Sequence, residues 1–253
     1  MEIRPNKAKQ KLAAGGTVCV IGGITDPDDI DQFGPEGFDA VWLEGEHGPI
    51  DFADLGNLTR ACDLWGMTPI VRLNCNRQSL IYRTLDRGAQ GIVMPHVDTR
   101  KEAQNVVDGG KFAPLGYRGM FLSRQGIGVP NYFEVANDHT LLVVLIEDIA
   151  AIGNLDEILE VEHIDVFFVA PSDLAASMGH IGEIGHPEVG RTIDDTLARI
   201  QQRGRVAGTL ANHDNVSEYT AVGVRFFLTT VAPWLNTGAK EFISRSKAAK
   251  RSA

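Results

Sequence analysis

The feature of this sequence that most constrains its fold is the alternation of short apolar runs with stretches of helical character. Apolar strands that are separated by helices, without tight hairpin turns, are typical of a parallel sheet covered on both faces. Eight such runs in 253 residues favour closure into a (β/α)₈ TIM barrel over an open sheet. We therefore predict a single α/β barrel domain over residues 1–253. The predicted strands are residues 17–24, 38–43, 68–73, 91–94, 141–146, 166–169, 205–209 and 225–230.

The segments between these runs carry helix signals at several places. Asp51 is suited to cap a helix that ends near Gly66, and Pro187 is suited to the first turn of another helix. Residues 111–138 are Gly-rich and poorly periodic, which is typical of a long functional loop. The weakly basic C-terminal segment after Phe242 is predicted to be a frayed helix or a helix that packs on a neighbouring subunit.

Charge and composition disfavour several classes of partner. The formal net charge is −9 and no long basic stretch interrupts it, whereas nucleic acids and anionic membranes require a cationic surface. The longest apolar run, near residues 141–146, is far shorter than the roughly 20 residues that cross a bilayer. The N-terminus lacks the apolar core of a secretory signal, and the three cysteines suggest no disulfide framework. The sequence therefore predicts a cytoplasmic protein with neither a nucleic-acid nor a membrane partner.

Charged side chains follow several predicted strands at the point where each strand ends. Arg72 ends the third strand, Glu147 follows the fifth, and Asp173 follows the sixth, while His47 lies shortly after the second. In a (β/α)₈ barrel these ends form the catalytic rim. Two carboxylates at one rim need a counter-charge, which Arg72 or a divalent cation with oxygen ligands could supply. Position alone leaves a metal site and a structural ion-pair network equally open.

The lysines limit the possible carbonyl chemistry. A Schiff-base mechanism requires a desolvated lysine inside the site. All eight lysines lie outside the predicted strand ends, so a metal and an arginine would have to stabilise an enolate. These lysines are Lys7, Lys9, Lys11, Lys101, Lys111, Lys240, Lys247 and Lys250.

Other motifs are weak. No glycine-rich phosphate-binding loop follows the first strand. Five histidines are predicted to be surface or capping residues, and no Cys/His spacing indicates zinc. These histidines are His139, His163, His180, His186 and His213.

Four longer stretches at the rim carry a family resemblance. They are residues 43–49 (LEGEHGP), 69–73 (PIVRL), 85–95 (LDRGAQGIVMP) and 168–179 (FVAPSDLAASMG). With these motifs the sequence resembles the HpcH/HpaI aldolase family, the metal-dependent class II pyruvate aldolases related to citrate lyase β-subunits. The similarity extends over nearly the whole chain, and it is the combination of motifs that is specific.

The resemblance implies a role for each matching residue. Glu147 and Asp173 would bind a divalent metal such as Mg²⁺, Mn²⁺ or Co²⁺, and backbone amides around Ser172 and Asp173 would hold the substrate carboxylate. Arg72 would stabilise the developing enolate. His47 would take the proton from the substrate hydroxyl.

Asp86 matches a family aspartate that raises the basicity of this histidine. It lies toward the end of a predicted helix, and barrel helices run away from the rim. Its contact with His47 would therefore need a short, bent helix or a neighbouring subunit.

Two positions depart from the family pattern. The family usually has a glutamine two residues before the metal-binding glutamate, where this chain has Leu145. It has an aspartate three residues before the histidine, where this chain has Glu44. Both departures bear on which substrate is used, and Leu145 makes the site less polar.

The resemblance implies reversible cleavage of a 4-hydroxy-2-oxo acid to pyruvate, or a related 2-oxo acid, and an aldehyde. It also implies a homo-oligomer, since family members are generally hexamers. Two alternatives remain: an acyl-CoA lyase of the citrate lyase β type, and a catalytically silent protein that binds a metal or an oxo acid.

Overall fold

The computed structural model, which describes residues 1–248, contains one closed barrel of eight parallel strands. Each strand pairs with the next along the chain, and the last pairs with the first through Val18–Phe226 to Gly22–Thr230. The predicted (β/α)₈ barrel is therefore confirmed. The strands are β1 Val18–Gly22, β2 Ala40–Glu44, β3 Thr68–Arg72, β4 Gly91–Met94, β5 Leu141–Ile146, β6 Val166–Val169, β7 Ala207–Leu210 and β8 Phe226–Thr230.

Helices follow the strands around the barrel, and two short 3₁₀ turns occur at Gly34–Glu36 and Arg124–Gly126. Residues 249–253, the end of the predicted basic C-terminal segment, lie outside the described residues. The α-helices are α1 Lys7–Ala13, α2 Pro27–Phe33, α3 Phe52–Trp65, α4 Gln78–Asp86, α5 Arg100–Gly110, α6 Tyr132–Val135, α7 Ile149–Gly153, α8 Leu155–Leu159, α9 Pro171–Ser177, α10 Pro187–Gln202, α11 Val216–Ala221 and α12 Val231–Ala248.

Local signals fixed several helix ends as predicted. Asp51 caps α3, and a reciprocal hydrogen bond with Asp54 completes a capping box. Gly66 ends the same helix, and Pro187 occupies the first turn of α10. In these places the backbone groups left open at a helix end find partners within a few residues, so the sequence suffices to place the end.

Alternate residues of each strand face two separate apolar layers. On β5, Val143 and Leu145 pack inside the barrel, whereas Val144 and Ile146 pack against the surrounding helices. This alternation follows from the two-residue period of a strand and leaves β5 fully buried on both faces. It also sets the position of Glu147, which continues the inward-facing series at the carboxyl end of β5.

The amino end of the barrel is closed by α1 and holds a buried lysine. Lys111 is 2% exposed, and its Nζ donates hydrogen bonds of 2.7 Å to the carbonyl oxygens of Asn137 and Thr140. Thr140 precedes β5, so this amine lies opposite the rim. Burial, together with the nearby Lys9 ammonium, lowers the pKa of Lys111 to about 7.

Lys111 is expected to make stability depend on pH in the alkaline range. Its folded pKa of about 7 lies below the unfolded value of about 10.4, so between these values the unfolded chain binds a proton that the folded chain does not. Its contribution to the free energy of unfolding is therefore lowest below pH 7 and rises toward pH 10. We compare the free energies of unfolding in urea of wild type and Lys111→Met. The wild-type value minus the variant value should rise by up to about 1.4 kcal/mol per pH unit between pH 7.5 and 9.5. A difference that stays constant with pH would contradict this.

The C-terminal helix α12 contributes no residue to the buried core. The ring of Trp234 packs at a tilt against Phe33 and Phe38, with ring centroids 6.4 and 6.1 Å away. Further along, Leu235 and Phe242 are exposed. Within residues 1–248, no helix combines the length and the apolar character that a membrane span requires.

Candidate active site

Arg72 is held at the rim by two carboxylates, one from the last residue of β2 and one from the loop that follows it. Its Nε donates to Glu44 at 2.8 and 3.0 Å, and its Nη1 lies 2.9 Å from Glu46 Oε2. Glu44 in turn accepts hydrogen bonds from the backbone N–H groups of Glu46 and His47. The guanidinium beside Glu44 and these amides lower its pKa despite the opposing effect of burial. Glu44 thus orients its neighbours and fixes the plane of the guanidinium.

Glu147 lies at the end of β5 and is almost fully buried, with 3% of the residue exposed. Its Oε1 accepts a 2.7 Å hydrogen bond from the backbone N–H of His96. His96 adopts a left-handed conformation with φ of 53°, which is uncommon for a residue other than glycine. This conformation aims the His96 amide at the carboxylate.

Negative charge is concentrated around Glu147. Burial raises the pKa of Glu147, and the charges of Asp173 and Glu46 add to the effect, although the His96 amide opposes it. Among the described residues, Glu46 Oε2 is buried and accepts no well-aligned hydrogen bond. The nitrogens of the His96 ring lie 3.4 Å from Glu46 and from Glu147, while Arg72 pairs with Glu46 and Glu44.

This donor set fits a hard divalent cation. Carboxylate oxygens are the preferred ligands of Mg²⁺ and Mn²⁺. A cation would also compensate the surplus negative charge that raises the pKa of Glu147. Glu147 and Asp173 would be its protein ligands, as the family resemblance implied.

Asp173 and Ser172 lie in the first turn of α9, directly after β6. The first N–H groups of a helix have no partner within it, and the preceding residue, Ala170, offers no side-chain cap. Amides in this position favour an anionic group. The fold therefore brings Ser172 and Asp173 to the same rim as Arg72, where all three line one cavity.

The cavity has a volume of about 220 Å³ and an apolar floor. Trp42, Leu145 and Phe168 form this floor from inside the barrel, with the rings of Trp42 and Phe168 5.5 Å apart. Leu145 is 1% exposed and occupies the position where the family usually has glutamine. Leu210 and Leu228 extend the apolar lining. The polar groups of the site therefore lie next to a largely apolar surface.

His47 lies in the loop between β2 and α3, with 69% of its side chain exposed. Its Nε2 is 3.9 Å from Glu46 Oε2. The structure thus places His47 beside the carboxylates at the rim, with its ring open to solvent and to a substrate.

Asp86 lies at the other end of the barrel within this chain. It is the last residue of α4, which begins after β3 and runs away from the rim. Its Oδ1 accepts a 2.8 Å hydrogen bond from Arg118 Nη2, and burial raises the pKa of Asp86 in spite of that pairing. One chain does not bring Asp86 to its own His47, so its catalytic role stays a prediction that depends on a neighbouring subunit.

The structure adds two residues to the site that the sequence analysis did not name. His96 and Glu46 are not among the predicted site residues, yet the His96 ring lies 3.4 Å from Glu147 and the charge of Glu46 raises the pKa of Glu147. The available signal was their position just after the ends of β4 and β2. Asp148, next to Glu147, proves to be the cap of α7, since its Oδ1 accepts from the Ala150 amide at 2.8 Å.

The closed barrel and the charged rim at its carboxyl end define an enzyme of the (β/α)₈ class. A family model described as HpcH/HpaI aldolase/citrate lyase matches residues 23–231. The chain belongs to the HpcH/HpaI aldolase/citrate lyase family, which confirms the resemblance drawn from the motifs.

Relatives and solved structures agree with this assignment. A hydroxypyruvate/pyruvate aldolase from Roseovarius nubinhibens is 37% identical over 87% of this chain and 88% of the relative. A 2-keto-3-deoxy-L-rhamnonate aldolase from Salmonella gallinarum is 38% identical over 78% of each chain. A crystal structure of a family protein from Burkholderia cenocepacia is 26% identical, covers 96% of this chain and 100% of that chain, and has a TM-score of 0.90. The prediction of an aldolase, a carbon–carbon lyase acting on small molecules, is confirmed at this level.

Proposed function

We propose that this protein reversibly cleaves a 4-hydroxy-2-oxo acid to pyruvate, or a closely related 2-oxo acid, and an aldehyde with the help of a divalent cation. The observation that carries the proposal is the buried Glu147 carboxylate, whose pKa is raised by burial and by the nearby negative charges of Asp173 and Glu46. The aldolase names of the two curated relatives support the reaction class.

Substrate binding would use the cation ligands and the start of α9. Glu147 and Asp173 would hold Mg²⁺, Mn²⁺ or Co²⁺, which when bound would act as a Lewis acid toward the 2-oxo group. The amides at Ser172 and Asp173 would orient the substrate carboxylate. Glu44 would keep the Arg72 guanidinium aimed at the oxo oxygen.

Bond cleavage would proceed by proton transfer and charge stabilisation. His47 would accept the proton of the 4-hydroxyl group as the C3–C4 bond breaks and the aldehyde forms. The electron pair of that bond would pass into the enolate of the 2-oxo acid, whose oxygen Arg72 would stabilise. Protonation at C3 would then release pyruvate.

The direct test is pyruvate release from a 4-hydroxy-2-oxo acid, followed with lactate dehydrogenase. We expect activity after addition of Mg²⁺, Mn²⁺ or Co²⁺, loss on dialysis against EDTA, and recovery on adding the metal back. Exchange of the C3 hydrogens of pyruvate with D₂O would report enolisation without knowledge of the aldehyde. Activity that survives complete metal removal would overturn the metal-dependent mechanism.

Leu145 is expected to influence the choice of 2-oxo acid. A glutamine at this position would place a hydrogen-bonding amide in the apolar floor beside Trp42 and Phe168. Leu145→Gln should therefore raise the ratio of kcat/KM for hydroxypyruvate over pyruvate by roughly five- to tenfold, the net value of one hydrogen bond. Both donors would be assayed in aldol addition to one common aldehyde.

Leu145→Met is the matched control because it keeps the floor apolar at similar volume. It should leave the ratio near that of wild type. Since the ratio compares two substrates on one protein, partial unfolding of a variant does not alter it. Equal ratios for Leu145→Gln, Leu145→Met and wild type would show that this side chain does not select the donor.

The proposal includes a homo-oligomer located in the cytoplasm. The exposed apolar side chains of α12, among them Leu235 and Phe242, support packing of this helix on a neighbouring subunit. A hexamer is the state implied by the family resemblance, and a neighbour could bring its Asp86 to His47. Sedimentation of the full chain, with and without Leu235→Glu, would test the contribution of α12.

A further inference from the structure

The loop between α9 and α10 brings two imidazoles and a carboxylate together outside the active-site cluster. Its sequence, residues 179–186, reads GHIGEIGH, so that His180, Glu183 and His186 recur at intervals of three. One ligand atom from each of the three side chains lies within 4.8 Å of the others. The linear spacing matched no zinc pattern, and only the folded loop assembles the group.

Two consecutive turns produce this arrangement. The amide of Glu183 donates to the carbonyl of His180 at 2.9 Å, and the amide of His186 donates to the carbonyl of Glu183 at 2.8 Å. Each of these hydrogen bonds closes a four-residue turn, which brings its first and last residues close together. Gly179 and Gly182, with φ of 86° and 78°, provide the left-handed positions that let the chain reverse between turns.

The side chains are held close to each other. The rings of His180 and His186 stack with centroids 3.7 Å apart and an interplanar angle of 18°. Because the nitrogen lone pairs of an imidazole lie in its ring plane, one ring rotates out of the stack when both bind a single ion. A fourth group, Glu188, approaches from the first turn of α10, with Oε2 3.4 Å from His180 Nε2. The carboxylate of Glu188 thus lies next to the three-residue group, on the His180 side.

Helix capping accounts for only part of this cluster. His186 caps α10, because its Nδ1 accepts a 3.3 Å hydrogen bond from the amide of Glu188. Neither His180 nor Glu183 takes part in that cap, and within residues 1–248 no hydrogen bond to the Glu183 carboxylate occurs. Capping of α10 therefore explains the position of His186 but not why His180 and Glu183 lie beside it.

We propose that His180, Glu183 and His186 form a zinc site that is separate from the catalytic cation site. Two imidazoles and one carboxylate are a donor set that suits Zn²⁺, which binds three or four such ligands in tetrahedral geometry. Glu188 or a water completes the coordination. The imidazoles distinguish this site from the proposed carboxylate ligands Glu147 and Asp173, which suit harder cations.

A Zn²⁺ bound here links the two turns of the loop to the start of α10. The same loop follows α9 directly, and α9 carries Asp173 in its first turn. Binding to the folded chain alone stabilises that state, so the midpoint of thermal unfolding rises with the Zn²⁺ concentration. The site therefore stiffens a segment that adjoins the catalytic rim.

The test isolates this site by first removing the other one. In the full chain with Glu147→Gln and Asp173→Asn, stripped with EDTA, calorimetric titration with ZnCl₂ should show about one equivalent bound. Adding His180→Ala should weaken this binding by at least about 100-fold. His186→Asn should do the same, and asparagine preserves the cap of α10 because it is a favoured capping residue. His213→Ala, a change at an exposed histidine elsewhere, should leave binding unchanged.

Co²⁺ provides a second readout on the same variants. A tetrahedral site with nitrogen ligands should give visible absorption bands that disappear with His180→Ala and with His186→Asn. Far-ultraviolet circular dichroism would establish that each variant is folded. Absence of Zn²⁺ binding in the Glu147→Gln/Asp173→Asn protein would overturn the proposal, as would binding that survives both histidine changes. Since pyruvate release is not measured, failure here is separate from failure of the proposed aldolase activity.

Discussion

Glu147→Gln is expected to lower metal-dependent pyruvate release by at least about 10³-fold without unfolding the protein. A Lewis-acid metal supplies several kcal/mol of transition-state stabilisation, and each 1.4 kcal/mol corresponds to tenfold in rate. Glutamine keeps the size of the side chain and an oxygen that accepts the 2.7 Å hydrogen bond from the His96 amide. It removes the charge, which the proposed cation requires of its ligand.

Although Glu147→Gln should lose activity, it should not lose stability. Burial and the charges of Asp173 and Glu46 raise the pKa of Glu147, which means that the metal-free fold disfavours its ionised form. A neutral glutamine relieves this crowding, so in EDTA the variant should melt at the same temperature as wild type or higher. Pyruvate release across a Mn²⁺ titration and thermal unfolding in EDTA would measure the two effects. Full activity, or lost activity with a much lower melting temperature, would contradict the proposed role.

The strands most fully enclosed in the fold were also the most predictable. β4, β5 and β6 begin and end at the predicted residues because every position in them is buried on one of two apolar layers. The second strand begins at Ala40 rather than at residue 38, and the carboxylate of Asp39, just before it, has partners in other segments. That carboxylate accepts from the Cys19 amide at 2.8 Å and pairs with Lys11. Polar contacts between distant segments of this kind leave no periodic trace in the sequence.

The candidate site was predictable to the extent that strand ends define it. Arg72, Glu147 and Asp173 follow from the barrel topology, since each lies at or after the end of a buried strand. The contacts of His96 do not follow from topology, because they depend on its left-handed backbone and on the path of a loop. For Asp86, the single chain supplies only Arg118 as a partner. Its predicted contact with His47 would form between subunits, and the order of strands and helices along one chain does not predict how subunits pack.

Arg72→Lys is expected to lower kcat by about 10² to 10³-fold, the usual effect of losing one oxyanion donor. A guanidinium offers five donors in a fixed plane, and here Nε is committed to Glu44 and Nη1 to Glu46. The remaining donors are available to the enolate oxygen. A lysine ammonium is a compact charge that would pair with the two carboxylates. The positive charge would remain, but no N–H donor would be aimed at the enolate oxygen.

Exchange of the pyruvate C3 hydrogens with D₂O tests whether the orientation of the Arg72 donors matters beyond their positive charge. Enolisation requires the oxyanion donor but no aldehyde, so Arg72→Lys should slow exchange and aldol cleavage by similar factors. Glu44→Asp is the matched control, because it keeps the Arg72 partner charged and restores the residue usual in the family. Its effect on both rates should be less than about tenfold, the scale of one hydrogen bond. If Arg72→Lys lost cleavage but kept normal exchange, the arginine would act on the aldehyde half of the substrate instead of the enolate.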